Sequence, residues 1–146
     1  MRFYFENFFG EMEWNSTVET KDLEKQKRNI LVVDDDSTML RTLRLWLSDK
    51  YKVYMANSGA SAIALLEKNK VDLILLDYEM PEADGPQVLR MLRENPATRE
   101  TPVMFLTART DKESILSVME LKPEKYLLKT MPPDDLMNNI DEFFGE

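Results

Sequence analysis

At 146 residues, with a net charge of -8 and neither cysteine nor histidine, the chain is sized for one domain and excludes disulfide frameworks, thiolate metal sites and histidine-based catalysis. Its 27 acidic against 19 basic residues argue against direct nucleic-acid binding, which needs a basic face. No apolar run approaches the roughly 20 residues of a membrane span, and Glu6, Glu11 and Glu13 interrupt the N-terminus where a signal peptide would be unbroken, so a cytoplasmic protein without membrane contact is expected.

Residues 1–28 read as an N-terminal extension. Phe5, Phe8, Phe9 and Met12 follow i, i+3, i+4, i+7 spacing, which predicts an amphipathic helix over Phe3 to Glu13 with one strongly apolar face. Such a face needs protein to cover it, either its own domain or a second copy, and a homodimer is the favoured arrangement. Lys21 to Arg28 is a charged stretch that reads as a linker or a continuing polar helix.

From residue 29 onward, short apolar runs alternate with helical periods. Ile30 to Val33, Lys52 to Ala56, Val71 to Leu76, Pro102 to Leu106 and Lys125 to Leu128 predict five strands, the second being the least apolar and hence placed at an edge. Met39, Leu40, Leu43, Trp46 and Leu47 predict the first helix, opened by Asp36 or Ser37 as its cap. Ala60 to Lys68, Gln87 to Glu94, Lys112 to Leu121 and Pro133 to Phe144 supply four more. Five βα units with continuous apolar strands describe a doubly wound α/β domain, a parallel sheet covered by helices on both faces.

Ligands of such sheets bind at the carboxyl ends of the strands, and the strand ends here carry chemistry. Asp34, Asp35 and Asp36 follow the first strand, Asp77 the third, Thr107 the fourth and Lys129 the fifth. Clustered carboxylates repel one another unless a cation neutralises them or protons bind, and hard oxygen donors suit Mg²⁺. The single ammonium and the hydroxyl are then placed to hold anionic oxygens of a phosphoryl group. Asp36 by itself reads as a helix cap.

"LVVDDDS", "LLDYEMPEADG", "FLTA" and "YLLK", in this order and spacing, resemble the receiver domain of two-component response regulators over residues 29–144, and residues 29–146 are taken as that domain. The resemblance implies a flavodoxin-like fold with strand order 2-1-3-4-5. It implies that Asp77 is the phosphoacceptor, attacking a phosphohistidine on a sensor histidine kinase or a phosphotransfer protein. Asp35 matches a direct Mg²⁺ ligand, Asp34 its neighbour in the metal site, and the backbone carbonyl of Glu79 a further ligand beside Asp77. Thr107 matches the hydroxyl that moves toward the phosphoryl group, Lys129 the ammonium that pairs with it, and Tyr126 the aromatic switch. Glu79 and Arg109 stand at rim positions flanking the path of the hydrolytic water. The chain departs from the family at Thr130, where a proline that sets a cis turn is usual, and in "LKPEKYLLK", where small residues are usual.

The chain ends two residues after Phe144, so an output module is not expected and the signal is expected to leave by protein contact, through the face made by the fourth helix, fifth strand and fifth helix. The expected function is a phospho-switch without enzymatic turnover of an external substrate, acting as an adaptor or a relay intermediate. The alternative is an interaction module that uses the fold without phosphorylation. A haloacid-dehalogenase-like phosphatase is disfavoured, because its second aspartate would stand where Glu79 is.

Overall fold

Asn29–Val33 forms β1, which pairs in parallel with both β2 (Lys52–Ala56) and β3 (Leu73–Leu76). The computed structural model describes residues 27–145, and the expected helix over Phe3 to Glu13 lies outside them. β3 pairs with β4 (Val103–Thr107), and β4 with β5 (Lys125–Leu128), giving the order β2-β1-β3-β4-β5. β2 is at the edge, as its weaker apolar character implies. Between the strands lie α1 (Ser37–Leu47), α2 (Gly59–Lys68), α3 (Gly85–Glu94) and α4 (Lys112–Met119), and α5 (Pro133–Phe144) closes the domain.

Successive side chains of a strand point to opposite faces, and this alternation divides the core. Leu31, Val33, Ile74, Leu76 and Phe105 face α2, α3 and α4, packing against Ala62, Val88, Leu89 and Val118. Ile30, Val32, Leu73, Leu75 and Met104 face the other way, onto Leu40, Leu43 and Leu47 of α1 and Leu136 and Ile140 of α5. Each such aliphatic side chain taken out of water contributes roughly 1.5 to 3 kcal/mol before entropy is charged against it.

The element ends differ from the sequence expectations for identifiable reasons. β3 begins at Leu73 rather than Val71 because the Asp72 carboxylate turns back to accept the Asn29 N–H at 2.7 Å. α3 begins two residues early, at Gly85, because Asp84 and Gln87 form a reciprocal capping box at its start. α4 stops at Met119, and Lys122 then takes a left-handed conformation (φ 57°) just before Pro123. At the Lys129 to Pro133 turn, the Met131 N–H donates to the Leu128 carbonyl at 3.0 Å, and no peptide among the described residues is cis.

Candidate functional site

The strand ladder continues past the formal strand ends and so fixes the backbone of the site. Asp34 N–H donates to the Ala56 carbonyl (3.1 Å), Asp77 N–H to Val33 (3.0 Å), and Lys129 N–H to Thr107 (2.9 Å). The register that pairs Leu76 with Phe105 and Thr107 with Leu128 brings Asp77, Thr107 and Lys129 onto one rim beside the end of β1. Asp36 is the N-cap of α1, accepting from Thr38 and Met39 N–H, while its own N–H donates to Asp34 Oδ1 at 2.9 Å.

Carboxylate oxygens of Asp34, Asp35 and Asp77 lie within 4.8 Å of one another. Asp34 and Asp77 are buried whereas Asp35 is exposed. Lys129 Nζ stands between the two buried groups, 2.6 Å from Asp34 Oδ2 and 3.1 Å from Asp77 Oδ2. Burial pushes the Asp34 carboxyl above the usual aspartate range and the Asp77 charge adds to this, outweighing the hydrogen bonds from Lys129 and the Asp36 N–H. Burial alone would lower the Lys129 ammonium, but the hydrogen bond to Asp34 and the charges of Asp77 and Asp34 hold it above its ordinary value. Three carboxylates against one ammonium leave the site with surplus negative charge. That surplus on oxygen donors fits a hard divalent cation such as Mg²⁺.

Thr107 is buried at the end of β4, and its hydroxyl accepts the Arg109 N–H at 3.2 Å. Tyr126 is half-buried on β5, its ring 5.8 Å from Phe105 and its hydroxyl donating to the Arg109 carbonyl at 3.1 Å. Burial raises the Tyr126 phenol above its ordinary pKa, and the neighbouring Tyr78 reinforces the shift. At the rim Arg109 Nη1 meets Glu79 Oε2 at 2.8 Å. Asp35, Glu79, Met80, Asp84 and Arg109 border a hollow of about 450 Å³ that opens beside the acidic cluster.

Gly85 matters for a reason other than turn conformation. Its φ is not positive, but a Cβ there would lie 2.8 Å from a Phe105 ring carbon and 2.9 Å from the Tyr78 Cα, and closer still to the Asp77 carbonyl. Its N–H donates to the Tyr78 carbonyl at 2.7 Å, so the start of α3 presses directly on the backbone carrying Asp77. Sequence reasoning also missed Asp111, the N-cap of α4, whose carboxyl is held down to about 2 by the Ser114 hydroxyl and N–H. A capping aspartate three residues before Ser114 was the available signal. No local pattern points to the Tyr78 hydroxyl, 2.9 Å from that of Ser117 on α4 and 39 residues away.

A doubly wound sheet in this strand order, with an acidic pocket and one lysine at its carboxyl rim, defines a receiver-type signalling domain. The family model of the response regulator receiver domain matches residues 30–141, and the chain belongs to that family. Among solved structures, the chemotaxis protein CheY4 of Vibrio cholerae aligns with a TM-score of 0.75 at 26% identity, covering 80% of this chain and 98% of that one. The signal receiver domain of a signal transduction histidine kinase from Syntrophus aciditrophicus aligns with a TM-score of 0.72 at 28% identity, covering 79% and 88%. Among curated relatives, the transcriptional regulatory protein ResD of Bacillus subtilis is 36% identical over 112 residues, 76% of this chain and 45% of that protein. The chain thus spans less than half the length of the curated relatives it matches. No helix among the described residues is long and apolar enough to cross a membrane.

Proposed function

We propose that this protein accepts a phosphoryl group on Asp77 from a phosphohistidine of a sensor histidine kinase or phosphotransfer protein, and signals in the cytoplasm by contact with a downstream protein. The observation that carries this reading is the sharing of Lys129 Nζ by two buried carboxylates, Asp34 and Asp77, with Asp35 alongside. In the transfer, an Asp77 oxygen forms the new bond to phosphorus as the phosphorus–nitrogen bond breaks, and the imidazole leaves with that electron pair and takes up a proton. Lys129 loses its place against the Asp77 carboxylate and gains a phosphoryl oxygen, so its charge is conserved at the site. Thr107 presents the nearby hydroxyl that can turn to a second phosphoryl oxygen. Asp34, Asp35, Asp77 and the Glu79 carbonyl would hold Mg²⁺, which supplies positive charge against the phosphoryl oxygens.

Thr107 and Tyr126 both bind the backbone of Arg109, which supports their reading as one coupled switch leading to the face of α4, β5 and α5. Leu116 and Met119 are exposed on α4 at 57% and 53%, supplying apolar surface for a partner or a second copy. The N-terminal extension is proposed to favour the second copy. Removing residues 1–28 should leave a folded domain that sediments at lower mass, and an unchanged oligomeric state would exclude that role.

Incubation with acetyl phosphate and Mg²⁺ tests the acceptor directly by intact mass. The expected result is one added phosphoryl group, lost in Asp77→Asn. Equal labelling of that variant would refute the assignment, and an unlabelled parent protein would favour an interaction module that works without phosphorylation.

A further inference from the structure

A closed ring of polar contacts surrounds the mouth of the site and joins the loop after Asp77 to α4. Ser117 donates its hydroxyl proton to the Ser114 carbonyl at 2.7 Å, which leaves the Tyr78 hydroxyl as donor to Ser117 at 2.9 Å. Ser114 in turn donates its hydroxyl to Asp111 at 2.8 Å, and Asp111 accepts from Arg109 Nε at 3.3 Å. Arg109 closes the ring twice, with its guanidinium 5.1 Å above the Tyr78 ring and Nη1 2.8 Å from Glu79. Every member belongs to one of two segments: Tyr78 and Glu79 directly follow Asp77, whereas Arg109, Asp111, Ser114 and Ser117 run from the end of β4 into α4.

Arg109 is also the point at which the site holds this ring. Its N–H donates to the Thr107 hydroxyl and its carbonyl accepts from Tyr126. A Thr107 hydroxyl drawn toward a phosphoryl oxygen on Asp77 either carries the Arg109 backbone with it or releases the Arg109 N–H, and in both cases the hold of the site on Arg109 changes. The added phosphoryl charge, roughly -1.5 to -2, also competes with Glu79 for the same guanidinium. A contact made in only one of two states biases the equilibrium toward that state.

We propose that the Tyr78–Ser117 hydroxyl pair is a tether that holds α4 in its unphosphorylated position, and that phosphorylation opens it by displacing Arg109. The release step rests on the reading of Asp77 as phosphoacceptor. Tyr78 is therefore a positioning residue for the switch, acting from the acceptor loop directly onto α4 instead of through Tyr126 on β5.

Hydrogen exchange by mass spectrometry on the full chain tests this with the parent, Tyr78→Phe, Ser117→Ala and the double variant. Each protein is measured alone and with Mg²⁺ and beryllium fluoride as the phosphoryl mimic. Without the mimic, amides between residues 108 and 121 should exchange about five-fold faster in each single variant, the factor that one ordinary hydrogen bond is worth. The double variant should match Ser117→Ala, which already cuts the tether along with the Ser117–Ser114 bond, rather than multiply the two effects. With the mimic bound, parent and variants should converge. Unchanged exchange in the single variants, multiplied effects in the double, or a difference that persists with the mimic would each overturn the tether. Failure of the phosphoacceptor reading shows separately, as a parent protein whose mass acetyl phosphate leaves unchanged; the release step then falls too.

Discussion

Replacing Asp34 with asparagine should stabilise the metal-free protein while removing most of its response to Mg²⁺. Asp34 and Asp77 place carboxylate oxygens within 4.8 Å of each other, a repulsion of order 3 kcal/mol at an effective dielectric constant of about 20. Asp35 adds a smaller amount, because it is exposed and screened. Against this stands the attraction of Asp34 to Lys129 at 2.6 Å, of order 6 kcal/mol on the same scale. The pairwise charges therefore favour aspartate by up to about 3 kcal/mol, and desolvation decides the outcome. Burying the Asp34 carboxylate costs several kcal/mol, whereas an asparagine oxygen can keep both hydrogen bonds, from Lys129 and from the Asp36 N–H, at little such cost. The expected net gain is about 1 to 2 kcal/mol, or on the order of 1 M in the urea midpoint. In Mg²⁺ at 100 times its dissociation constant the parent should gain roughly 2.7 kcal/mol, most of which the variant forgoes, so the ranking reverses. Urea titrations in chelator and in Mg²⁺ measure both effects. An Asp34→Asn protein that is less stable than the parent in chelator, or that gains as much from Mg²⁺, would refute this balance of forces.

Gly85→Ala should cost about 3 kcal/mol and slow labelling of Asp77, because the new Cβ meets the backbone of Tyr78 and the Phe105 ring, which cannot yield cheaply; thermal denaturation and intact mass check the two effects. Arg109→Ala should leave stability nearly unchanged, since its ion pairs are at the surface, yet shorten the lifetime of the phosphorylated form by opening the mouth to water; an unchanged lifetime would remove Arg109 from the rim. The Tyr51 hydroxyl and then Lys50 hold the Asp141 carboxyl below its ordinary value. A depressed folded-state pKa contributes stability that is present above the unfolded value near 4 and is lost as pH falls through the lower folded value. The stability difference between parent and Asp141→Asn should accordingly shrink in acid below pH 4, and urea midpoints that stay equally far apart would exclude the linkage.

Strand positions, and the acids and lysine at their ends, were legible in the chain because each is a local property. A buried parallel strand shows itself as a short apolar run, and the residue that follows it stands at the rim whatever the neighbours are. Asp34, Asp35, Asp77, Thr107 and Lys129 could be named on that basis, and the family resemblance supplied the strand order that makes them meet. Asp36 was likewise readable as a cap, since capping depends only on the next three residues. The tertiary structure decided what depends on register and close approach. Gly85 has its role because α3 presses on the carbonyl of Asp77, a distance that no spacing in the chain encodes. Two exposed charges, Glu79 and Arg109, become a bridge only when β3 and β4 lie side by side. The Tyr78 and Ser117 hydroxyls meet only when α4 settles against the loop after β3. Hydrogen bonds of this kind require placement to a few tenths of an ångström, which packing of the whole core sets and residue type alone does not.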